Sequence, residues 1–187
     1  MIKRLFDILL SLCLLAILVI PMIIIAVIVR LTSKGPAIHW SKRVGRNNKI
    51  FLMPKYRSMY TEAPQVATHL LQDSSKFITP VGQFLRKTSL DEIPQLFSVI
   101  RGDMSLVGPR PALFNQDDLV QLRTKKNVHT LRPGVTGWAQ INGRDELPIS
   151  VKTELDEYYL NHQSIFFDIK ILFLTVFKVL KADGIQH

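Results

Sequence analysis

Two groups of residues carry chemistry by their type and spacing. The first is Asp91-Glu92, adjacent carboxylates followed by Ile93-Pro94. Proline fits only the first turn of a helix, so a helix is expected to begin near Asp91. Two carboxylates at a helix start can hold a hard divalent ion and supply a nucleophile. The same spacing has a plain structural explanation, with Asp91 as an N-cap and Glu92 as a first-turn acid that complements the helix dipole. Spacing alone leaves both open. The second group is a set of arginines framed by proline and glycine: Gly108-Pro109-Arg110-Pro111, Arg132-Pro133-Gly134 and Asn142-Gly143-Arg144. A rigid frame fixes the base of each guanidinium, so less entropy is lost when its fork grips a phosphate. Arg86, upstream of the acidic pair, is a candidate for the same cluster.

Other devices are missing. There is no G-x-x-x-x-G-K-[ST] loop, G-x-G-x-x-G turn, H-E-x-x-H helix or paired C-x-x-C. Ser105 lies between Gly102 and Gly108 but not in a G-x-S-x-G elbow. His39, His69, His129, His162 and His187 are scattered without metal-ligand spacing.

The elements that must position these groups are short. Ile38-His39-Trp40 and Lys49 to Met53, joined across Gly45-Arg46-Asn47-Asn48, read as a β-hairpin. Helices are expected over 80–87, 93–100, 115–126 and 150–162, with a loop and a short helix over 61–78. No repeat, low-complexity tract or linker splits the chain.

The N-terminal segment is different in kind. Ile8 to Val29 contains no charged residue and would reach about 33 Å as a straight helix, enough for a hydrocarbon core of ~30 Å. It is too long for a signal peptide, and no A-x-A-like cleavage site follows. Pro21 should kink or break the helix into pieces of about 20 Å and 12 Å, neither of which crosses alone. Basic residues flank both ends: Lys3 and Arg4 on one side, Arg30, Lys34, Lys42, Arg43 and Arg46 on the other. A re-entrant helix that enters and leaves on one face satisfies the positive-inside rule at both ends, whereas a straight span does not; an ordinary kinked transmembrane helix, in which a proline is tolerated, is the alternative. Ile165 to Leu180 is a second membrane candidate, with Asp168, Lys170, Thr175 and Lys178 on about half its circumference. It can lie among headgroups with its lysines toward phosphates, or serve as a core helix.

Composition agrees with this division. The chain of 187 residues has room for one modest core and carries a net charge of +9. With 47% hydrophobic residues it is too apolar for a disordered chain, and the single Cys13 excludes a disulfide scaffold. The charge suits an anionic partner, namely nucleic acid, a phospholipid surface or a phosphorylated substrate.

Read in order, these segments resemble the monotopic phosphoglycosyl transferases of the bacterial sugar transferase family. The likeness begins at Lys3 to Asp7 and runs through the Pro21 helix, Lys55-Tyr56-Arg57-Ser58-Met59, Leu85 to Leu96, Gly102 to Pro111, Leu131 to Gly137 and Gln140 to Arg144. It ends with the Ser164 to Leu180 helix, and the block from Arg86 to Pro111 is the most specific part. The resemblance implies a mostly helical α+β protein, with a re-entrant membrane helix over 1–31 broken at Pro21. A catalytic domain over 32–187 would lie on the cytoplasmic face of the bacterial inner membrane, against anionic phospholipid. It implies transfer of a sugar-1-phosphate from a UDP-sugar, of the N-acetylated or deoxy-amino kind, to undecaprenyl phosphate, releasing UMP. In family terms Asp91 is the nucleophile that forms a covalent phosphosugar intermediate, Glu92 assists it, and both attend Mg²⁺. Arg86, Arg110, Arg132, Arg144, Lys55 and Arg57 would bind the nucleotide sugar. A homo-oligomer is compatible with the family, and nucleic acid is not a partner. Two departures are visible. The family often places Ser before the breaking proline, where this chain has Ile20, so one stabilising hydrogen bond is lost. The chain also stops soon after the core, as a minimal form would. A membrane-tethered basic adaptor without activity would account for the charge and the apolar start, but not for the framed arginines or the acidic pair.

Overall fold

The computed structural model describes residues 2–63, 74–143 and 147–181. Helix α1 (Ile2–Thr32) leads into a β1 (Ile38–Val44) and β2 (Ile50–Tyr56) hairpin, followed by α2 (Pro80–Lys87) and α3 (Gln95–Arg101). After strand β3 (Ser105–Val107) come α4 (Asp117–Lys125), β4 (Gly134–Thr136), α5 (Trp138–Ile141), α6 (Ile149–Asn161) and α7 (Ile165–Lys181). The protein is therefore mostly helical α+β, as expected.

Helix α1 is one continuous helix of 31 residues with Pro21 inside it, not two segments separated by a break. Its length, about 46 Å, leaves room for both ends to reach the body. At the N-terminal end Arg4 donates to the carbonyls of Val99 (2.5 Å) and Ile100 (2.8 Å), and Lys3 lies 2.6 Å from Asp168. Farther along, Ile25 and Val29 pack with Tyr56 and Leu85. The Tyr56 hydroxyl donates to the carbonyl of Met22, next to Pro21, at 2.7 Å. Between these anchors Ile17, Ile20, Ile23 and Ile24 are exposed. By length and composition this helix could cross a membrane.

The hairpin is antiparallel, with His39 opposite Lys55, Ser41 opposite Met53 and Arg43 opposite Phe51. Successive side chains alternate faces, so these six share one side, and Met53 joins the main core with Leu96, Val99 and Met104. Helix α2 starts where Thr79 Oγ1 accepts from the Gly82 N–H at 2.9 Å, with Pro80 in the first turn.

Strands β3 and β4 form a two-stranded parallel pair that no local period announced. Its tightness comes from glycine: a Cβ on Gly134 would lie 2.1 Å from the Gly108 nitrogen, and one on Gly108 2.4 Å from the Arg132 carbonyl. The Gly-Pro frames thus serve backbone-to-backbone contact as well as the arginines beside them.

Helix α7 turns two of its polar residues, Asp168 and Thr175, toward the body. Asp168 is fully buried, and Thr175 Oγ1 meets Thr136 Oγ1 at 2.7 Å. Phe166, Ile169, Phe173, Val176 and Phe177 point outward. Of the polar residues expected on one stripe, Asp168 and Thr175 anchor the helix to the body, Lys170 is exposed and Lys178 is half-buried.

Candidate active site

The chain leaves α2 through Ser89, a non-glycine residue in the left-handed conformation (φ 57°, ψ 16°). That conformation costs about 1 kcal/mol or more outside glycine and marks a position fixed by its surroundings. The turn drives the 3₁₀ segment Leu90–Glu92 inward between α2 and β2. Asp91 lies inside this segment, 6% exposed, and α3 starts after Pro94. Asp91 is therefore not an N-cap, and the purely structural explanation of the acidic pair does not hold.

The two carboxylates are treated differently. Glu92 Oε1 lies 3.3 Å from both Nη1 and Nη2 of Arg110 and 3.6 Å from the Lys55 ammonium. Among the described residues, none donates a hydrogen bond to the Asp91 carboxylate. Burial raises the Asp91 pKa to about 6; Lys55, Arg86 and Arg110 pull it down, and Glu92 pushes it up. The Lys55 ammonium is lowered chiefly by burial, offset by Glu92 and Asp91. A buried carboxylate without a donor, among cations able to draw an anion toward it, can act as a nucleophile or as a ligand to a hard cation.

Arg110 is held from behind. Buried Arg123 donates to the Arg110 carbonyl at 2.8 Å and to Asp156 Oδ2 through Nε (2.9 Å) and Nη2 (2.6 Å). Arg43 donates from Nη1 to the Pro111 carbonyl (3.1 Å) and from Nε to Ser41 Oγ (3.0 Å).

Not every expected residue joins this cluster. Lys55, Arg86 and Arg110 surround the acidic pair. Arg57 does not: it is buried and donates to the carbonyls of Ser33 (2.9 Å), Lys34 and Gly35 (3.2 Å), in the turn that follows α1. Its guanidinium is engaged with the backbone of the turn that follows α1, away from the acidic pair where a phosphate role was expected of it. Arg132 Nε donates to the Gly102 carbonyl at 2.9 Å, and its charged neighbours are Arg4, Arg46 and Asp7. It braces the β3 approach and is not among the charges that act on Asp91. Arg144 lies outside the described residues. Three residues were missed. Arg43 and His39 share the inward hairpin face with Lys55, and Gln95 is buried at the first residue of α3, beyond Pro94. The period of two across the hairpin was the signal that could have found the first two.

The model of the bacterial sugar transferase family matches residues 1–182 of the chain. The chain belongs to the bacterial sugar transferase family. It is an enzyme family, and several relatives are named for the reaction they catalyse. The chain is 42% identical to the uncharacterized sugar transferase EpsL of Bacillus subtilis, over 99% of the chain and 90% of that relative. It is 42% identical to the UDP-glucose:undecaprenyl-phosphate glucose-1-phosphate transferase of Escherichia coli, over 95% of the chain and 40% of that protein. It is 38% identical to the undecaprenyl-phosphate galactose phosphotransferase of Salmonella typhimurium, over 97% of the chain and 41% of that protein. The sugar transferase chain thus spans most of EpsL and about two-fifths of the other two.

Proposed function

We propose that this sugar transferase moves a sugar-1-phosphate from a UDP-sugar to undecaprenyl phosphate, forming undecaprenyl-diphospho-sugar and UMP through a covalent intermediate on Asp91. The names of the relatives support the substrate classes. The observation that carries the mechanism is the buried Asp91 carboxylate, without a described hydrogen-bond donor and ringed by Lys55, Arg86 and Arg110.

In the first displacement an Asp91 oxygen attacks the sugar-bearing phosphorus. The bond to the bridging oxygen breaks, and its electron pair leaves with UMP. In the second, a phosphate oxygen of the polyprenol attacks the same phosphorus, and the electron pair of the breaking bond returns to Asp91. Lys55 and Arg110 fix Glu92 on one side, so Asp91 remains the carboxylate able to react. The cations offset the repulsion between a carboxylate and a diphosphate. Mg²⁺ fits the same place. Two adjacent carboxylates together with substrate phosphate oxygens form the oxygen set that this ion takes. When bound, it would neutralise charge on the diphosphate.

The enzyme acts at the cytoplasmic face of the bacterial inner membrane, with the segment 1–31 re-entering the bilayer and 32–187 forming the catalytic domain. The fastening of both ends of α1 to one body supports this topology: Lys3 and Arg4 hold one end, and Tyr56 and Arg57 hold the other. A helix crossing to the far side would have to leave one set of these bonds. The exposed apolar face of α7 supports contact with the same lipid surface.

The test is UMP release in nanodiscs containing undecaprenyl phosphate and Mg²⁺, with UDP-glucose, UDP-galactose, their N-acetylated forms and deoxy-amino derivatives as donors. UMP appearing with one donor, and only with lipid and Asp91 intact, is the expected result. An N-acetylated or deoxy-amino donor is expected to lead. Turnover unchanged in Asp91→Asn would remove Asp91 from the reaction.

A further inference from the structure

We propose that Arg4, Arg46 and Arg132 form a second phosphate site, apart from the acidic pair, which takes the phosphate of an anionic lipid headgroup. The inference rests on the placement of α1 at a lipid surface proposed above, and on nothing at Asp91.

Two of the three guanidinium groups meet at the end of α3. Arg4 donates to the carbonyls of Val99 (2.5 Å) and Ile100 (2.8 Å), and Arg132 Nε donates to that of Gly102 (2.9 Å). Gly102 caps α3 in the left-handed conformation (φ 98°), and a Cβ there would lie 3.4 Å from Arg4 Nη2. Arg46, in the hairpin turn, donates from Nε to the carbonyl of Thr130 at 2.8 Å, two residues before Arg132. Among the described residues, the Nη groups of Arg46 and Arg132 have no partner, so each arginine is held at its Nε and keeps its outer N–H groups for a ligand. Donors fixed this way lose little freedom when an anion arrives. No described carboxylate pairs with any of the three. Asp7 is held by Ser105, the Leu106 N–H and Lys3, Asp103 by Arg101, and Asp168 by Tyr159 and Lys3. Burial first, then the charges of Arg4 and Arg46, hold the Arg132 guanidinium below its ordinary pKa, and Asp7 offsets them only in part. Like charges gathered without an acid favour an anion among them.

The neighbourhood sets the kind of anion. Arg4 lies in the first turn of α1, between the exposed side chains of Ile2 and Leu5. Lys3, beside it in sequence, is tied to Asp168 at the start of α7, where Phe166 and Ile169 are exposed. The two most apolar helices of the chain begin at this spot, so the arginines stand at the border between apolar surface and polar body. A lipid with its chains against those side chains brings its phosphate to that border. Phosphatidylglycerol offers a net negative phosphodiester there, whereas phosphatidylcholine adds a positive group that three arginines repel. Inorganic phosphate shares the tetrahedral anion but gains nothing from the apolar surface.

The experiment uses the full chain in neutral detergent micelles and counts bound lipid by native mass spectrometry. Phosphatidylglycerol and phosphatidylcholine of equal chain length compete at equal concentration, and inorganic phosphate is titrated in a separate arm. The variants are Arg46→Gln, which removes one charge, and Arg132→Lys, which keeps the charge and loses the fork. Lys49→Gln removes an exposed charge from the same turn, outside the site. Melting temperature confirms that each variant is folded, and Arg46→Gln, at an exposed position, carries the test if Arg132→Lys does not fold. The wild type is expected to retain phosphatidylglycerol about 10-fold over phosphatidylcholine. That preference should fall about fivefold in Arg46→Gln and Arg132→Lys and stay unchanged in Lys49→Gln. Equal retention of the two lipids by the wild type, or a preference within twofold of wild type in either folded variant, overturns the site. An equal loss in Lys49→Gln overturns it as well, because net charge alone would then set the preference. Inorganic phosphate that displaces the lipid at equal concentration overturns the headgroup assignment. Sedimentation with liposomes after a high-salt wash reads the placement of α1 separately. A chain that stays with the membrane but shows no headgroup preference keeps that placement and loses the site, and UMP release reads the transfer reaction apart from both.

Discussion

Asp91 and Asp168 are both buried carboxylates, and the protein treats them in opposite ways. Asp168, at the start of α7, receives the Tyr159 hydroxyl at 2.6 Å and the Lys3 ammonium at 2.6 Å. Asp7, on the same network, accepts from Ser105 Oγ at 2.8 Å and from the Leu106 N–H at 3.3 Å, with Lys3 3.7 Å away. This network ties α1, β3, α6 and α7 together where the two most apolar helices meet the body. Asp91 has three cations nearby and no described donor. A buried carboxylate whose lone pairs are used is a structural tie. One whose lone pairs are left over, at a cost in stability, is kept for a ligand or a reaction.

The comparison breaks if Asp91 behaves like Asp168. The largest expected effect is on Asp91→Asn, with turnover falling by at least about 10⁴-fold in the UMP-release assay, as removal of a nucleophile does. Lys3→Met comes next. It strands Asp168 and Asp7 without their cation, and loss of one partner of a buried pair costs about 3–5 kcal/mol, read as a large drop in melting temperature. Asp91→Asn should move stability the other way. Burial holds the Asp91 pKa at about 6 against an ordinary 3.8, so the folded protein binds that proton more tightly than the unfolded chain. Its contribution is then greatest below pH 4 and declines as pH rises through 6. The variant should melt higher than wild type at pH 7.5, by up to about 3 kcal/mol, with the gap closing near pH 4. Equal melting of the two proteins at pH 7.5 would mean that Asp91 is satisfied after all. The smallest effect is Tyr159→Phe, which removes one hydrogen bond to Asp168 and should cost about 2 kcal/mol with kcat within threefold of wild type.

The same contrast explains how far the sequence could be read. Helix α2 and the hairpin were visible because Thr79-Pro80 is a local start signal and the turn at 45–48 lies between two apolar runs. Strands β3 and β4 were not, because three residues carry no period and the pairing depends on Gly108 meeting Gly134 across the fold. The acidic pair and Arg110 were visible as types in a frame. Frames do not tell a phosphate arginine from one that answers a backbone carbonyl, and so Arg132 was assigned to the site with Arg110, while Arg57 entered through the resemblance alone. The burial that singles out Asp91 from Glu92, and the register that adds Arg43, are properties of the packed molecule.

The most direct test is intact-protein and peptide mass spectrometry after incubation with the productive UDP-sugar and Mg²⁺ but no undecaprenyl phosphate. The account predicts a sugar-phosphate mass increment on the peptide containing Asp91, absent in Asp91→Asn and discharged when undecaprenyl phosphate is added. Full turnover with the lipid present, but no increment on that peptide under rapid-quench conditions, would contradict it and leave Asp91 as a ligand in a single-step transfer.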